Sequence, residues 1–373
     1  MRVSEGEVEL SVPEQQAAGV GDAVFFNPRM ELNRDVTVAA LSAYRDNRDP
    51  AAETYLDAMA ATGARGVRAA AEGWSVTLVD RDEAATERCR ANLQRNDLDG
   101  EVLTRDVRAV LADRPGRFDV IDLDPFGTPM PFADAALRTA TGLVCVTATD
   151  TAPLCGAHMA SGRRHYDCVP RNTEYHAEMS LRVLLSALAR TAAVHDVGVE
   201  PVLSHVSDHY VRTYLVVHHR ATDADEALDE LGHVYHCRDC LWRDDDPGRL
   251  ADPPSACPHC GTDAVLTAGP IWVGPTADDE FVAATRDRLR PAMGTADRAG
   301  ELLDRIGAEL DVPTHYDHHE LTELWGVGAE PIDDVLSALR AAGHDATRTH
   351  YGGTTFKTTA SRAALDEVLR EDD

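Results

Sequence analysis

Between residues 54 and 150 the chain alternates short apolar runs with segments whose apolar residues recur at helical spacing. The runs at 54–59, 75–80, 101–106, 118–123 and 142–148 read as five strands. The segments at 84–96 and 132–140 read as helices, one between the second and third strands and one between the fourth and fifth. Strand and helix taking turns predict a parallel sheet covered by helices on both faces. A longer helical pattern follows at 173–195. Two β-rich runs at 200–206 and 210–218 are spaced to form an antiparallel pair at the sheet edge.

Beyond residue 222 the pattern changes. Residues 222–232 are acidic and helix-like, and they divide the chain into a first domain, 1–222, and a second, 223–373. Two cysteine pairs fall within 233–262, and 270–275 reads as a linker. Helical patterns at 297–310, 321–325 and 332–342 precede a hairpin at 345–359 that turns through Gly352-Gly353. Helices followed by such a hairpin suggest a small α+β domain, the winged helix being one form of it.

At 373 residues the chain has room for two or three domains with real cores. Charge changes the picture more. The 64 acidic residues outnumber 36 basic ones, giving a net charge of −28, and Lys357 is the only lysine. The excess is spread along the chain rather than gathered in a tail, which reads as adaptation to a very salty cytoplasm. In molar salt the Debye length is only about 3 Å, so net charge does not exclude a nucleic-acid partner. No run approaches the ~20 apolar residues of a membrane span, and the N-terminus lacks a signal-peptide pattern. A soluble, cytoplasmic protein is expected. Cys89, Cys145, Cys155 and Cys168 are scattered, which is no disulfide framework and fits a reducing compartment.

Candidate chemistry gathers at the ends of the predicted strands. Ile121-Asp122-Leu123-Asp124-Pro125-Phe126-Gly127 runs from a buried strand into a tight loop. Asp124 can accept a hydrogen bond from the exocyclic amine of a base, Pro125 stiffens the loop, and Phe126 offers a flat face for stacking. The plain alternative is an ordinary Asp-Pro turn. After the first strand, Asp57 leads into a turn with Gly63, where small residues let the backbone approach a nucleotide-like ligand. Asp80 ends the second strand, where an acid grips ribose hydroxyls, and Asp106 ends the third, where a carboxylate can accept from an adenine amine. With no phosphate-loop lysine and no Gly-x-Gly-x-x-Gly, S-adenosylmethionine fits better than a dinucleotide.

Three further segments carry chemistry. Residues 24–35 are dense in aromatic and polar groups: either an arm packed on the sheet, or a lid whose aromatics stack a base and whose Arg34 forks a carboxylate or phosphate. Cys237-x-x-Cys240 and Cys257-x-x-Cys260, separated by 16 residues, have the spacing of a four-thiolate zinc ribbon. His236 and His259 lie beside the pairs, but four thiolates already complete a tetrahedral structural site. Arg163 and Arg164 lie in a basic loop, Ser161-Gly162-Arg163-Arg164-His165-Tyr166, suited to phosphates or to local ion pairs. His205, His209, His218 and His219 lack metal-ligand spacing.

Together these features resemble one family, the tRNA (guanine-26, N2)-dimethyltransferases of archaea and eukaryotes, from about Val24 to the C-terminus. The resemblance is carried by Phe25-Phe26-Asn27-Pro28-Arg29-Met30 with Asn33-Arg34-Asp35, by Ala61-Thr62-Gly63-Ala64-Arg65-Gly66, by Asp122-Leu123-Asp124-Pro125-Phe126-Gly127, by Thr147 to Gly156, and by Thr347-Arg348-Thr349-His350. It implies a class I S-adenosylmethionine-dependent methyltransferase domain, a Rossmann-like sheet with an antiparallel edge pair, plus a smaller α+β C-terminal domain that contacts tRNA and carries the ribbon. It implies two methylations of guanine N2 at tRNA position 26. By position, Arg34, Asp80 and Asp106 would hold the cofactor, and Asp57, Gly63 and Arg65, in the turn after the first strand, would bind it as well. Phe25 and Phe126 would flank the guanine, and Asp124 would face its amine. Phe26 departs from a Tyr common in the family. The expected partner is tRNA, with no DNA and no membrane, and the protein is expected to be a monomer with zinc in the ribbon. The rival readings are an amino-methyltransferase for another RNA or DNA base, and an inactive zinc-ribbon RNA-binding protein.

Overall fold

The computed structural model describes residues 1–14, 24–248 and 250–370. The chain opens on a hairpin of β1 (Arg2–Glu5) and β2 (Val8–Ser11). A 3₁₀ turn at Pro28–Met30, capped by the Asn27 side chain, leads into α1 (Glu31–Asn47). Then follow β3 (Thr54–Asp57), α2 (Ala64–Ala71), β4 (Ser75–Asp80), α3 (Glu83–Arg95), β5 (Glu101–Thr104), α4 (Val107–Asp113), β6 (Val120–Leu123), α5 (Met130–Thr139) and β7 (Leu143–Ala148). Two short helices, α6 (Thr151–Leu154) and α7 (Met159–Tyr166), precede the long α8 (His176–Ala193), and the edge strands β8 (Gly198–Ser207) and β9 (Tyr210–His218) follow.

These strands form one sheet in the order β5-β4-β3-β6-β7-β9-β8. The first five are parallel, while β9 runs antiparallel to both β7 and β8. The predicted mixed sheet with its antiparallel edge pair is therefore present. Strands β6 and β7 are buried along their whole length, which is why they read as near-continuous apolar runs. One face of the sheet packs on a core containing Val36, Val67 and Leu93, the other on a core containing Val110, Leu137 and Leu184. Chain order reverses between β3 and β6, and the crevice at their C-terminal ends is where open α/β sheets bind ligands.

After α9 (Ala221–Asp229) comes a three-stranded sheet of β10 (Leu231–Cys237), β11 (Arg243–Asp246) and β12 (Val265–Trp272), in the order β11-β10-β12. The expectation of a linker at 270–275 is wrong in its first half. Pro270, Ile271 and Trp272 belong to β12, and Ile271 and Trp272 are buried in the core that holds α8. Prolines there looked like breakers, but an edge strand tolerates proline. Helices α10 (Asp279–Asp287) and α11 (Ala296–Ile306) then return to the first half of the chain: Phe281, Leu303 and Ile306 share a core with Val36 and Leu41 of α1. Thr295 also donates through its backbone N–H and hydroxyl to Asp35, at 2.9 and 2.6 Å.

The last unit comprises β13 (Tyr316–Asp317), α12 (His318–Trp325), α13 (Ile332–Ala341), β14 (Ala346–Arg348), β15 (Thr355–Thr358) and α14 (Arg362–Leu369). Its sheet order is β13-β15-β14, and Leu321, Leu336, Leu339, Phe356 and Leu365 form a separate core. This is the α+β arrangement expected from the helices and the Gly352-Gly353 hairpin. The cysteine-bearing sheet is wedged between the two larger parts. Arg243 pairs with Glu174 on one side at 3.0 Å, while on the other Arg362 donates to the Cys240 carbonyl at 2.6 Å.

Candidate active site

A cavity of about 550 Å³ opens at the C-terminal ends of β3, β4, β5 and β6. Phe25, Arg34, Asp57, Arg65, Asp80, Asp106, Asp124 and Phe126 all line it. Gly63 does not. It sits at φ +76° as the N-cap of α2, and a Cβ there would press on Leu78 and Cys89. Its work is to turn the chain, a conformation that glycine adopts without steric cost.

The acids at the strand ends are held in different ways. Asp80 accepts backbone N–H groups from Ala61 at 2.9 Å and from Asp82 at 3.0 Å, one on each oxygen. That fixes the carboxylate and leaves lone pairs facing the cavity. Asp106 caps α4 and is forked by Arg108 at 3.0 and 2.6 Å. The bond to Arg108 pulls its carboxyl down to about 2. Asp57 is buried and accepts from the Gly66 N–H at 2.9 Å. Burial, reinforced by the nearby Asp122 charge, pushes its carboxyl up to about 7.

The two arginines differ from expectation. Arg34 grips Glu5 of the N-terminal hairpin through Nε at 2.6 Å and Nη2 at 2.5 Å, and Nη2 also reaches the Asn27 carbonyl at 3.2 Å. Only its Nη1 is without a hydrogen bond among the described residues. Arg65 holds Asp124 Oδ2 through Nε at 3.0 Å and Nη2 at 2.7 Å. It also donates to Asn33 Oδ1 at 2.7 Å and to Thr37 Oγ1 at 3.1 Å. These contacts occupy four of its five N–H donors, and two of them converge on Asp124.

Beneath them lies a salt bridge that sequence reasoning missed. Asp122 and Arg212 are fully buried and joined by a symmetric fork, both contacts 2.8 Å. Tyr55 donates to Asp122 as well, at 2.9 Å. Burial alone would raise the Asp122 carboxyl, but Arg212 and Arg65 outweigh it and hold it below its usual range. The available signal was an arginine in the middle of the apolar run 210–218.

Phe25 and Phe126 are exposed at 47% and 75%, and their rings touch edge to face with centroids 4.5 Å apart. A base stacked between two rings needs roughly 3.5–4.0 Å on each side. The rings therefore occupy the slot they were expected to flank. Arg163 and Arg164 lie at the end of α7, exposed and outside the cavity lining. Arg164 reaches Ser161 at 2.9 Å. Neither makes an ion pair among the described residues.

The four Sγ atoms of Cys237, Cys240, Cys257 and Cys260 lie within 4.8 Å of one another. The Cys237–Cys260 and Cys240–Cys257 separations are 3.7 and 3.6 Å. A tetrahedron with zinc–sulfur bonds of about 2.3 Å has edges of about 3.8 Å, so the thiols fit such an ion. His259 pairs instead with Asp366 at 3.0 Å, and His236 lies 3.7 Å from Glu174.

The strand order, the carboxylate anchored at the end of β4 and the cavity at the switch point define a class I, S-adenosylmethionine-dependent methyltransferase. Residues 6–370 match the model of a family described as N2,N2-dimethylguanosine tRNA methyltransferase, and the chain belongs to that family. It is 58% identical over 371 residues to a tRNA (guanine(26)-N(2))-dimethyltransferase of Haloarcula marismortui, covering 100% of both chains. The like-named protein of Halobacterium salinarum is 57% identical over 99% of this chain and 100% of its own. Among solved structures, Trm1 from Pyrococcus horikoshii in complex with S-adenosyl-L-methionine matches with a TM-score of 0.88 and 34% identity, over 99% of each chain.

Proposed function

We infer that this chain methylates the exocyclic N2 amine of guanine-26 in tRNA twice, using S-adenosylmethionine, to give N2,N2-dimethylguanosine. The observation that carries the reading is Asp124. It stands just past the end of β6, its Oδ1 has no hydrogen bond among the described residues, and it shares one cavity with the anchored Asp80.

When bound, S-adenosylmethionine supplies an electrophilic sulfonium methyl. Asp80 would take the ribose hydroxyls, Asp106 the adenine amine, and Arg34 the methionine carboxylate through Nη1, with Asp57 on the cavity floor. The guanine amine is a poor nucleophile because its lone pair is delocalised into the ring. Asp124 accepts one of its N–H groups, orients the nitrogen and takes the proton as positive charge develops. Holding the amine at near-attack distance supplies most of the acceleration, and positioned base help adds typically ~10²–10⁴-fold. Extruding the base from its stack costs a few kcal/mol, which Phe25 and Phe126 offset in part by stacking once they have parted.

Residues 1–222 carry this chemistry, and 223–373 contact the tRNA body. The four cysteines would hold a structural zinc, which would brace the β10–β12 sheet between the two. Arg163 and Arg164, without acidic partners among the described residues of a strongly acidic chain, contact phosphates. A tRNA substrate supports a cytoplasmic enzyme. The test is labelled S-adenosylmethionine with tRNA transcripts carrying guanine or adenine at position 26, in molar KCl, followed by nucleoside analysis. Dimethylguanosine from the guanine transcript alone is expected. Equal labelling of both transcripts, or methyl groups on another base, overturns the assignment.

A further inference from the structure

We propose that Arg65 is a positioning residue that turns Asp124 into a single-site acceptor, holding Oδ2 with two N–H groups so that only Oδ1 meets the guanine amine. The inference rests on the reading of this cavity as a guanine N2 methylation site and deepens it.

The geometry that points there is an asymmetry. Arg212 forks Asp122 across both oxygens, and Arg34 forks Glu5 across both oxygens. Arg65 instead converges on one oxygen of Asp124, Nε at 3.0 Å and Nη2 at 2.7 Å. Arg65 cannot slide into the usual fork because its other donors are fixed. Nη2 is held by Asn33 and Nη1 by Thr37, and Asp122 lies 3.9 Å from Nη1. Thr37 is pinned in turn by Arg212 at 3.0 Å and by Tyr214 at 2.9 Å. The side chain of Arg65 is 6% exposed, while that of Asp124 is 26% exposed.

A single acceptor suits a reaction run twice on one nitrogen. The amine brings two N–H groups to the first round. One is anchored at Oδ1 and the lone pair is left for the methyl. The nitrogen forms its bond to the methyl carbon as the carbon–sulfur bond breaks, and that bond's electron pair stays on sulfur. The anchored proton passes to Oδ1 and from there to water. The monomethylated amine then has one N–H left, and the same oxygen anchors it, so the second transfer uses the same geometry. A carboxylate free at both oxygens would instead let the singly methylated amine settle in two poses.

The test is Arg65→Lys, which keeps the charge but offers one point donor instead of two converging N–H groups. Measurements are single-turnover rates for each methylation, the ratio of monomethyl- to dimethylguanosine, S-adenosylmethionine affinity by calorimetry, and circular dichroism. The expected result is a fall in rate on the order of 10²-fold, as for about 1 Å of misplacement. Monomethylguanosine should accumulate while cofactor affinity and fold are retained. If Arg65→Lys does not fold, Thr37→Val decides, because it loosens Arg65 without removing it and should give a smaller rate loss with the same product signature. Wild-type rates and product ratio in the folded variant overturn the proposal. So does lost cofactor affinity with a normal rate at saturating S-adenosylmethionine, which would assign Arg65 to the cofactor. A wild-type enzyme that leaves guanine-26 unmethylated fails the functional reading itself, before any variant is compared.

Discussion

Two of the buried charge clusters among the described residues are built from the same materials for opposite ends. One, around Asp122, Asp124, Arg65 and Arg212, forms a wall of the cavity. The other joins α8 to the C-terminal unit. There Glu178 is fully buried and accepts from Arg182 at 2.9 Å, Thr314 N–H at 3.0 Å and His315 at 2.9 Å, with Lys357 at 3.3 Å. Glu309 completes it, 3.6 Å from Lys357 and 2.6 Å from His350. Burial alone would raise the Glu178 carboxyl, but Lys357, Arg182 and His315 outweigh it and hold it well below the usual range. Both oxygens of Glu178 are engaged, Oε1 by Arg182, Thr314 and Lys357 and Oε2 by His315, whereas Asp124 keeps one oxygen open. The open acceptor marks a site for chemistry, and the closed one marks a joint. The only lysine of the chain sits in the joint at 3% exposure, so none is left for a surface whose cations are all arginine.

The sharpest way to break this contrast is to remove Asp124. Asp124→Ala should cut methyl transfer by roughly 10²–10⁴-fold through loss of the base alone. S-adenosylmethionine should still bind, because Asp80 is anchored independently by backbone amides. Single-turnover kinetics with parallel calorimetry check this, and a near-normal rate would reject the role of Asp124.

The complementary change is in the joint. Glu178→Gln leaves Lys357 and Arg182 without their carboxylate, and removing one partner of a buried ion pair typically costs about 3–5 kcal/mol. Urea unfolding in molar KCl should show a loss of that order, while the rate per folded molecule stays near wild type. A variant that is stable but slow would show that the joint takes part in catalysis.

What the sequence revealed follows the physics of each region. The parallel strands were legible because burial on both faces makes them apolar runs, and the four-cysteine cluster because two Cys-x-x-Cys pairs at that spacing can fold onto each other. Residues 24–35, which include the start of α1, were read as an arm or lid because they are dense in aromatic and polar groups, yet Asn33, Arg34 and Asp35 are buried, as is Thr37 one turn on. Their partners Glu5, Arg65, Arg68 and Thr295 lie far away in sequence. The same distance hid the return of α10 and α11 to the first half of the chain, and the grip of Arg65 on Asp124. The pairing of Phe25 with Phe126 was visible as two residues of one site, but not as a mutual contact that fills it.

A last expected effect concerns Asp57 beside the first cluster, whose titration has the opposite sign to that of Glu178 in the joint. The Asp57 carboxyl sits at about 7 in the folded protein, against about 4 for a solvated aspartate. Between those values the folded state holds a proton that the unfolded chain has released, so stability falls as pH rises from about 4 to about 7 and is flat above. Glu178 has the opposite sign: its folded value lies below the unfolded one, so its contribution is present above about 4.3 and fades as pH falls through the folded value. Asp57→Asn keeps an acceptor for the Gly66 N–H and removes the titration. The variant, without cofactor, should lose the decline in stability between about pH 5 and about pH 7 that the wild type shows. Urea midpoints across that range in molar KCl measure it. Parallel curves for variant and wild type would place the titrating group elsewhere in the cavity.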